Sequence, residues 1–99
     1  MPNVWTHGTW TVKPGREDDF VAVWRAMAAR GVAELNAAAP PTLLRDRDER
    51  NVFVSFGPWP SLDEVTRFRS SPMFREAYEE LTELLVDFQA RTLDEVFHG

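Results

Sequence analysis

Ninety-nine residues, 43% apolar and 27% charged, suit one soluble globular domain (residues 1–99) with a modest core. A net charge of −5, with scattered arginines set mostly beside acids, argues against a nucleic-acid partner. The lack of cysteine removes disulfides, thiolate nucleophiles and cysteine metal sites. No apolar run nears the roughly 18 residues of a membrane span and no signal-peptide pattern opens the chain, so a cytoplasmic protein with no membrane partner is expected.

The first element is a strand over Asn3 to Val12. Val4, Thr6, Gly8, Trp10 and Val12 alternate with Trp5, His7, Thr9 and Thr11, and period two with β-branched and aromatic residues is a strand pattern. Lys13-Pro14-Gly15 makes a turn, and Glu17, Asp18 and Asp19 suit the positive end of a helix. That helix buries a stripe of Phe20, Val23, Trp24, Met27 and Gly31, continuing to Leu35. Gly31 on the stripe costs about 1 kcal/mol relative to Ala, for which a close backbone approach is a reason. Ala37 to Pro41 ends the helix, since neither proline can continue it.

Thr42 to Asp46 and Asn51 to Phe56 are expected as two strands joined by the solvated link Arg47-Asp48-Glu49-Arg50. After Gly57-Pro58-Trp59-Pro60, two helices are expected near 61–69 and 72–85. Ser61 with Glu64 has the capping-box spacing, and Ser71-Pro72 sets a cap before a proline at the first helical position. Val86, Phe88, Ala90 and Thr92 then alternate with Asp87, Gln89 and Arg91 as a last strand. The order β-α-β-β-α-β, with the second helix broken at Ser70-Ser71, is the α+β ferredoxin-like split βαβ pattern. Helices on one face leave the other bare, with Trp5, His7, Thr9, Thr11 and Phe53 expected there. So aromatic a surface predicts a homodimer packed sheet against sheet.

Three stretches carry a family resemblance. Val12-Lys13-Pro14-Gly15-Arg16-Glu17-Asp18-Asp19-Phe20 resembles a strand-turn-helix opening, Leu43-Leu44-Arg45-Asp46 a second strand, and Trp59-Pro60-Ser61-Leu62-Asp63-Glu64 a Trp-acid-Ser helix head. Together they resemble the antibiotic biosynthesis monooxygenase superfamily of dimeric α/β barrels, over nearly the whole chain. Some members of that superfamily degrade haem and others oxygenate anthrones or quinols without a cofactor. The haem-degrading type has a first-strand Asn near Gly8, a second Trp where Phe68 stands, and a later His, which the region through Leu85 lacks. The anthrone-oxygenating type matches at Trp59, while Ser55, Val65 and Tyr78 occupy its Asn, Tyr and Arg positions. The resemblance therefore implies cofactor-independent oxygenation of an aromatic or polyketide-type phenol or quinol. A non-catalytic binder or cyclase-like accessory protein is the alternative.

Each candidate residue has a functional and a structural reading. Tyr78, the only tyrosine, offers a phenol to a substrate oxygen, or packs its ring in the core. His7 is a base for a phenolic proton or a hydrogen-bonded interface residue, and its alternation favours the interface. Trp59 stacks on an aromatic ligand or locks a strand end onto a helix. Trp24, Phe68 and Met73 suit a pliable pocket for a flat ligand and equally suit a core. Ser55 joins the substrate-binding set through the resemblance. Arg69 and Arg75 flank the helix break, either to grip a ligand carboxylate or as solvated charges. No metal-ligand spacing, phosphate loop or nucleotide fingerprint occurs, so neither metal nor cofactor is expected.

Overall fold

A computed structural model describes residues 4–35 and 39–99. Its elements are β1 (Val4–Val12), α1 (Glu17–Leu35), β2 (Thr42–Arg45), β3 (Val52–Trp59), α2 (Leu62–Ser70), α3 (Pro72–Glu83) and β4 (Leu85–Asp94). The four strands form one antiparallel sheet in the order β2-β3-β1-β4. This is the ferredoxin-like α+β arrangement, with the second helical crossover split in two.

Local chemistry accounts for the boundaries. Gly15 takes a positive φ of 92° in the turn after β1, and its N–H donates to the Glu17 carboxylate at 2.9 Å. Phe20, Trp24, Met27 and Gly31 are all buried, so α1 lays one continuous stripe on the sheet. Ser61 Oγ accepts from the Glu64 N–H at 3.3 Å, the N-cap half of the expected box, while the Glu64 carboxylate lies 3.6 Å from Arg67. Ser71 serves both helices it joins. Its Oγ accepts from the Phe74 N–H at 3.1 Å, capping α3, and donates to the Phe68 carbonyl at 2.7 Å, closing α2.

The core gathers Trp10, Val12, Phe20, Trp24, Met27, Phe53, Met73, Leu81 and Leu84 between the helices and one face of the sheet. Phe53 belongs here, not on the open face where the alternation had placed it. The register sets it opposite Trp10, so the two share a face; Phe53 is 2% exposed, with its ring 4.9 Å from Phe20. Val52, Val54 and Phe56 stand instead beside Thr11, Thr9 and His7. That open face also carries Trp5, 6.4 Å from Phe56 between ring centroids, and the half-exposed Leu44 and Leu93.

Three details differ from expectation, the first being that α3 stops at Glu83 and β4 begins at Leu85, where the helix was expected to run to 85. β3 continues through Gly57-Pro58 to Trp59, because β2 pairs with β3 only as far as Phe56. Beyond that point β3 has a free edge, where a proline lacking an N–H forfeits no ladder bond. Val86 is 65% exposed, because the β1–β4 register shifts between Thr11 and Val12 and passes over it. The expected start at Asn3 and part of the helix stop at Ala37 to Pro41 lie outside the described residues.

Candidate ligand cavity

A cavity of about 390 Å³ opens between the helices and the sheet, within the size range of small-molecule sites. Its sheet wall comes from Thr6, Gly8 and Trp10 of β1, Ser55, Gly57 and Trp59 of β3, and Phe88 and Ala90 of β4. The helix wall comes from Trp24, Met27 and Gly31 of α1, Phe68 and Arg69 of α2, and Phe74 and Tyr78 of α3.

The wall is rich in aromatic rings, and most of them form an unbroken series. Centroid separations run 5.2 Å from Trp59 to Phe68, 4.8 Å to Phe74 and 5.6 Å to Tyr78, then 5.9 Å to Phe88 and 3.9 Å to Trp10. Each neighbour restrains the next, which gives a lining suited to flat apolar molecules. Two indoles on this wall are anchored by hydroxyls. Trp59 Nε1 donates to Thr6 Oγ1 at 2.9 Å, and Trp10 Nε1 donates to Ser55 Oγ at 2.9 Å. The second bond requires Gly8. A Cβ there would lie 2.9 Å from Trp10 Nε1 and 3.0 Å from Ser55 Oγ, so only glycine lets the indole lie across the strand. Gly57 similarly admits Pro41, whose Cα would be 3.2 Å from a Cβ.

Charge is sparse in the cavity. Among the described residues no carboxylate lines it, and Arg69 Nη1 donates to Thr92 Oγ1 at 3.0 Å. His7 borders the cavity through its strand. Its side chain belongs to the alternate set, opposite Phe56 and Arg91 on the open face, so the imidazole does not serve the cavity. No group of three His, Cys, Asp or Glu side chains able to hold a metal occurs among the described residues.

The structure thus brings Trp24, Ser55, Trp59, Phe68 and Tyr78 together around one cavity. Trp59 is 9% exposed, packed and hydrogen-bonded while still presenting a face to the cavity, so its structural and cavity-lining readings coexist. Met73 is buried in the core, away from the wall; its Cε would lie 3.9 Å from a Cβ on Gly31. Arg75 is exposed and off the wall. Thr6, Gly8, Trp10 and Phe88 also line the cavity, and no sequence motif marks them as site residues. The alternation that groups Thr6, Gly8 and Trp10 was the available signal, and it became decisive only once the facing strand was known.

Fold and wall define a ferredoxin-like domain enclosing an aromatic cavity. The chain belongs to the antibiotic biosynthesis monooxygenase family, whose family model matches residues 4–80. Among solved structures it resembles an asparagine-to-alanine variant of SnoaB, a cofactor-independent oxygenase from Streptomyces nogalater. The TM-score is 0.87 at 25% identity, covering 97% of this chain and 95% of that one. A Caulobacter crescentus protein bearing the same family designation aligns with TM-score 0.88 and 20% identity over 97% and 92% of the two chains. PA3566 from Pseudomonas aeruginosa aligns with TM-score 0.83 and 18% identity over 98% and 97%. Among curated proteins, none matches the chain by sequence. No helix among the described residues is long and apolar enough to cross a membrane.

Proposed function

We propose that this protein is a cofactor-independent monooxygenase acting on an aromatic, polyketide-type phenol or quinol. The observation that carries the reading is the aromatic cavity with hydroxyl groups on its sheet wall; family membership and the likeness to SnoaB support it. The cavity excludes water, stacks the substrate ring against Trp59 and Phe68, and directs hydroxyls at its oxygens. The ionised substrate is itself the electron donor to O₂. A carbon–oxygen bond forms at the activated ring carbon to give a hydroperoxide. Loss of water then leaves a carbonyl, so that a CH₂ and O₂ become C=O and H₂O with no external reductant.

Among the described residues no carboxylate lines the cavity, and strand alternation turns the His7 imidazole to the open face, so the substrate's own acidity supplies the anion. The rate is therefore expected to rise with pH along the ionisation of the phenol used, shifting when a more acidic phenol is substituted. The same lack of a base favours the second reading, a non-catalytic binder or cyclase-like accessory protein. Oxygen uptake with a panel of anthrones and hydroquinones, no cofactor added, decides between them. Uptake above the uncatalysed rate that falls in Trp59→Phe supports the oxygenase. Quenched tryptophan fluorescence without uptake leaves the binder. The open sheet face, with Trp5 and Phe56 at its centre, supports a homodimer joined there.

A further inference from the structure

The two hydrogen bonds that hold Trp10 and Trp59 also settle which way two hydroxyls point their polarity. An indole N–H only donates, so Ser55 Oγ and Thr6 Oγ1 must each accept. Neither hydroxyl donates to a protein acceptor among the described residues, and both residues line the cavity. Each keeps its proton for whatever occupies that space. Accepting an N–H bond polarises the O–H further, making it a stronger donor and a weaker acceptor.

Their spacing follows from the register. Thr6 stands opposite Gly57 and Ser55 opposite Gly8, so the two hydroxyl residues occupy one diagonal of a four-residue patch, about 7–8 Å apart. The other diagonal is glycine, filled from above by the Trp10 indole and by Pro41. A planar ligand in the cavity would thus meet two separated donors and no acceptor of comparable strength on this patch.

We propose that Thr6 and Ser55 form a pair of indole-loaded O–H donors that selects planar fused-ring ligands carrying two separated acceptor oxygens, carbonyl or phenolate. The inference rests on the cavity being the ligand site assigned above, but it concerns recognition and not turnover. It makes both side chains specificity determinants, with Trp59 and Trp10 as their positioning residues.

Anthraquinone and anthracene share a carbon skeleton and differ in two carbonyl oxygens, so tryptophan quenching by each isolates the donors' contribution. The wild-type chain is expected to bind anthraquinone more tightly. Thr6→Val and Ser55→Ala should each weaken anthraquinone about three- to tenfold, the equivalent of one neutral hydrogen bond, and leave anthracene within about twofold. Thr6→Ser, which keeps the hydroxyl, should restore binding. Equal wild-type affinity for the two ligands, binding of neither, or equal losses for both in the variants would overturn the proposal. Each hydroxyl has its own variant, so misfolding of one leaves the other decisive. Discrimination without oxygen uptake would sink the oxygenase reading and leave the donor pair standing.

Discussion

Two glycines on the cavity wall should respond in opposite directions to the same substitution. At Gly8 an added Cβ would meet Trp10 Nε1 at 2.9 Å and both Phe88 Cε1 and Ser55 Oγ at 3.0 Å. Relief requires the indole to move, which gives up the Trp10–Ser55 hydrogen bond, about 0.5–1.5 kcal/mol net, and disturbs the 3.9 Å stack on Phe88. Overpacking of this kind costs about 1–3 kcal/mol, against about 0.5–1 kcal/mol gained by replacing a strand glycine with alanine. With both costs counted and the gain subtracted, Gly8→Ala is expected to destabilise by about 0.5–4 kcal/mol. At roughly 4–8 °C per kcal/mol for a chain of this size, the midpoint should fall by about 2–30 °C. At Gly31 the nearest atoms are Phe68 Cε1 at 3.5 Å and Met73 Cε at 3.9 Å, ordinary contacts. Close approach therefore does not require that glycine, and Gly31→Ala should stabilise by about 0.5–1 kcal/mol, raising the midpoint by about 2–8 °C. Thermal unfolding followed by circular dichroism at matched protein concentration tests both. A Gly8→Ala midpoint at or above the parent's, or a Gly31→Ala midpoint below it, would refute the reasoning.

Ser71→Ala removes the α3 cap and the bond to the Phe68 carbonyl, and should cost about 0.5–2 kcal/mol. Ser71→Asp can accept from Phe74 but not donate to Phe68, so its melting midpoint should fall between Ala and the parent; a midpoint at or below that of Ala would count against the double role. The Asp46 carboxyl is held below its usual value by the Glu49 N–H and then the Asp48 N–H, with Arg50 nearby. Its contribution to the hairpin is present above the ordinary Asp value of about 3.9 and is lost as pH falls through the lower folded value. Protection of the Asp48 and Glu49 amides, taken as exchange relative to the intrinsic rate at each pH, should fall on acidification in the parent and stay level in Asp46→Asn; identical profiles would remove the carboxylate from the account. Phe56→Glu sets a charge in the centre of the open face, so sedimentation should find the variant shifted to half the parent mass. An unchanged mass would exclude that face as the joint.

Much of this architecture was legible locally. The strict alternation of β1, the apolar stripe of α1 and the serines at 61 and 71 each have a short-range cause, and each lies where that cause puts it. Phe53 and Met73 show the limit. Which face Phe53 takes depends on its pairing with Trp10, more than forty residues away in the chain, and no pattern within β3 encodes that register. Met73 shares α3 with Phe74 and Tyr78, but it is buried in the core while they line the cavity, a division set by tertiary packing. The run Gly57-Pro58-Trp59 has the composition of a turn and lies within a strand, because a missing outer neighbour relieves the proline of its ladder obligation. The hydroxyl pair became visible for the same tertiary reason: Thr6 and Ser55 acquire their common purpose only when two distant strands are laid side by side.

The pleat of β1 separates two kinds of mutational consequence by parity. Changing Thr6, Gly8 or Trp10 alters the ligand wall, whereas changing Trp5, His7 or Thr9 alters the surface turned away from it. On β3 the parity is reversed, with Ser55, Gly57 and Trp59 facing inward and Val52 and Val54 outward. One ribbon of backbone thus presents two nearly independent fields for selection. Drift in what the cavity accepts need not disturb what the outer surface meets, and a library confined to one parity would search either property alone.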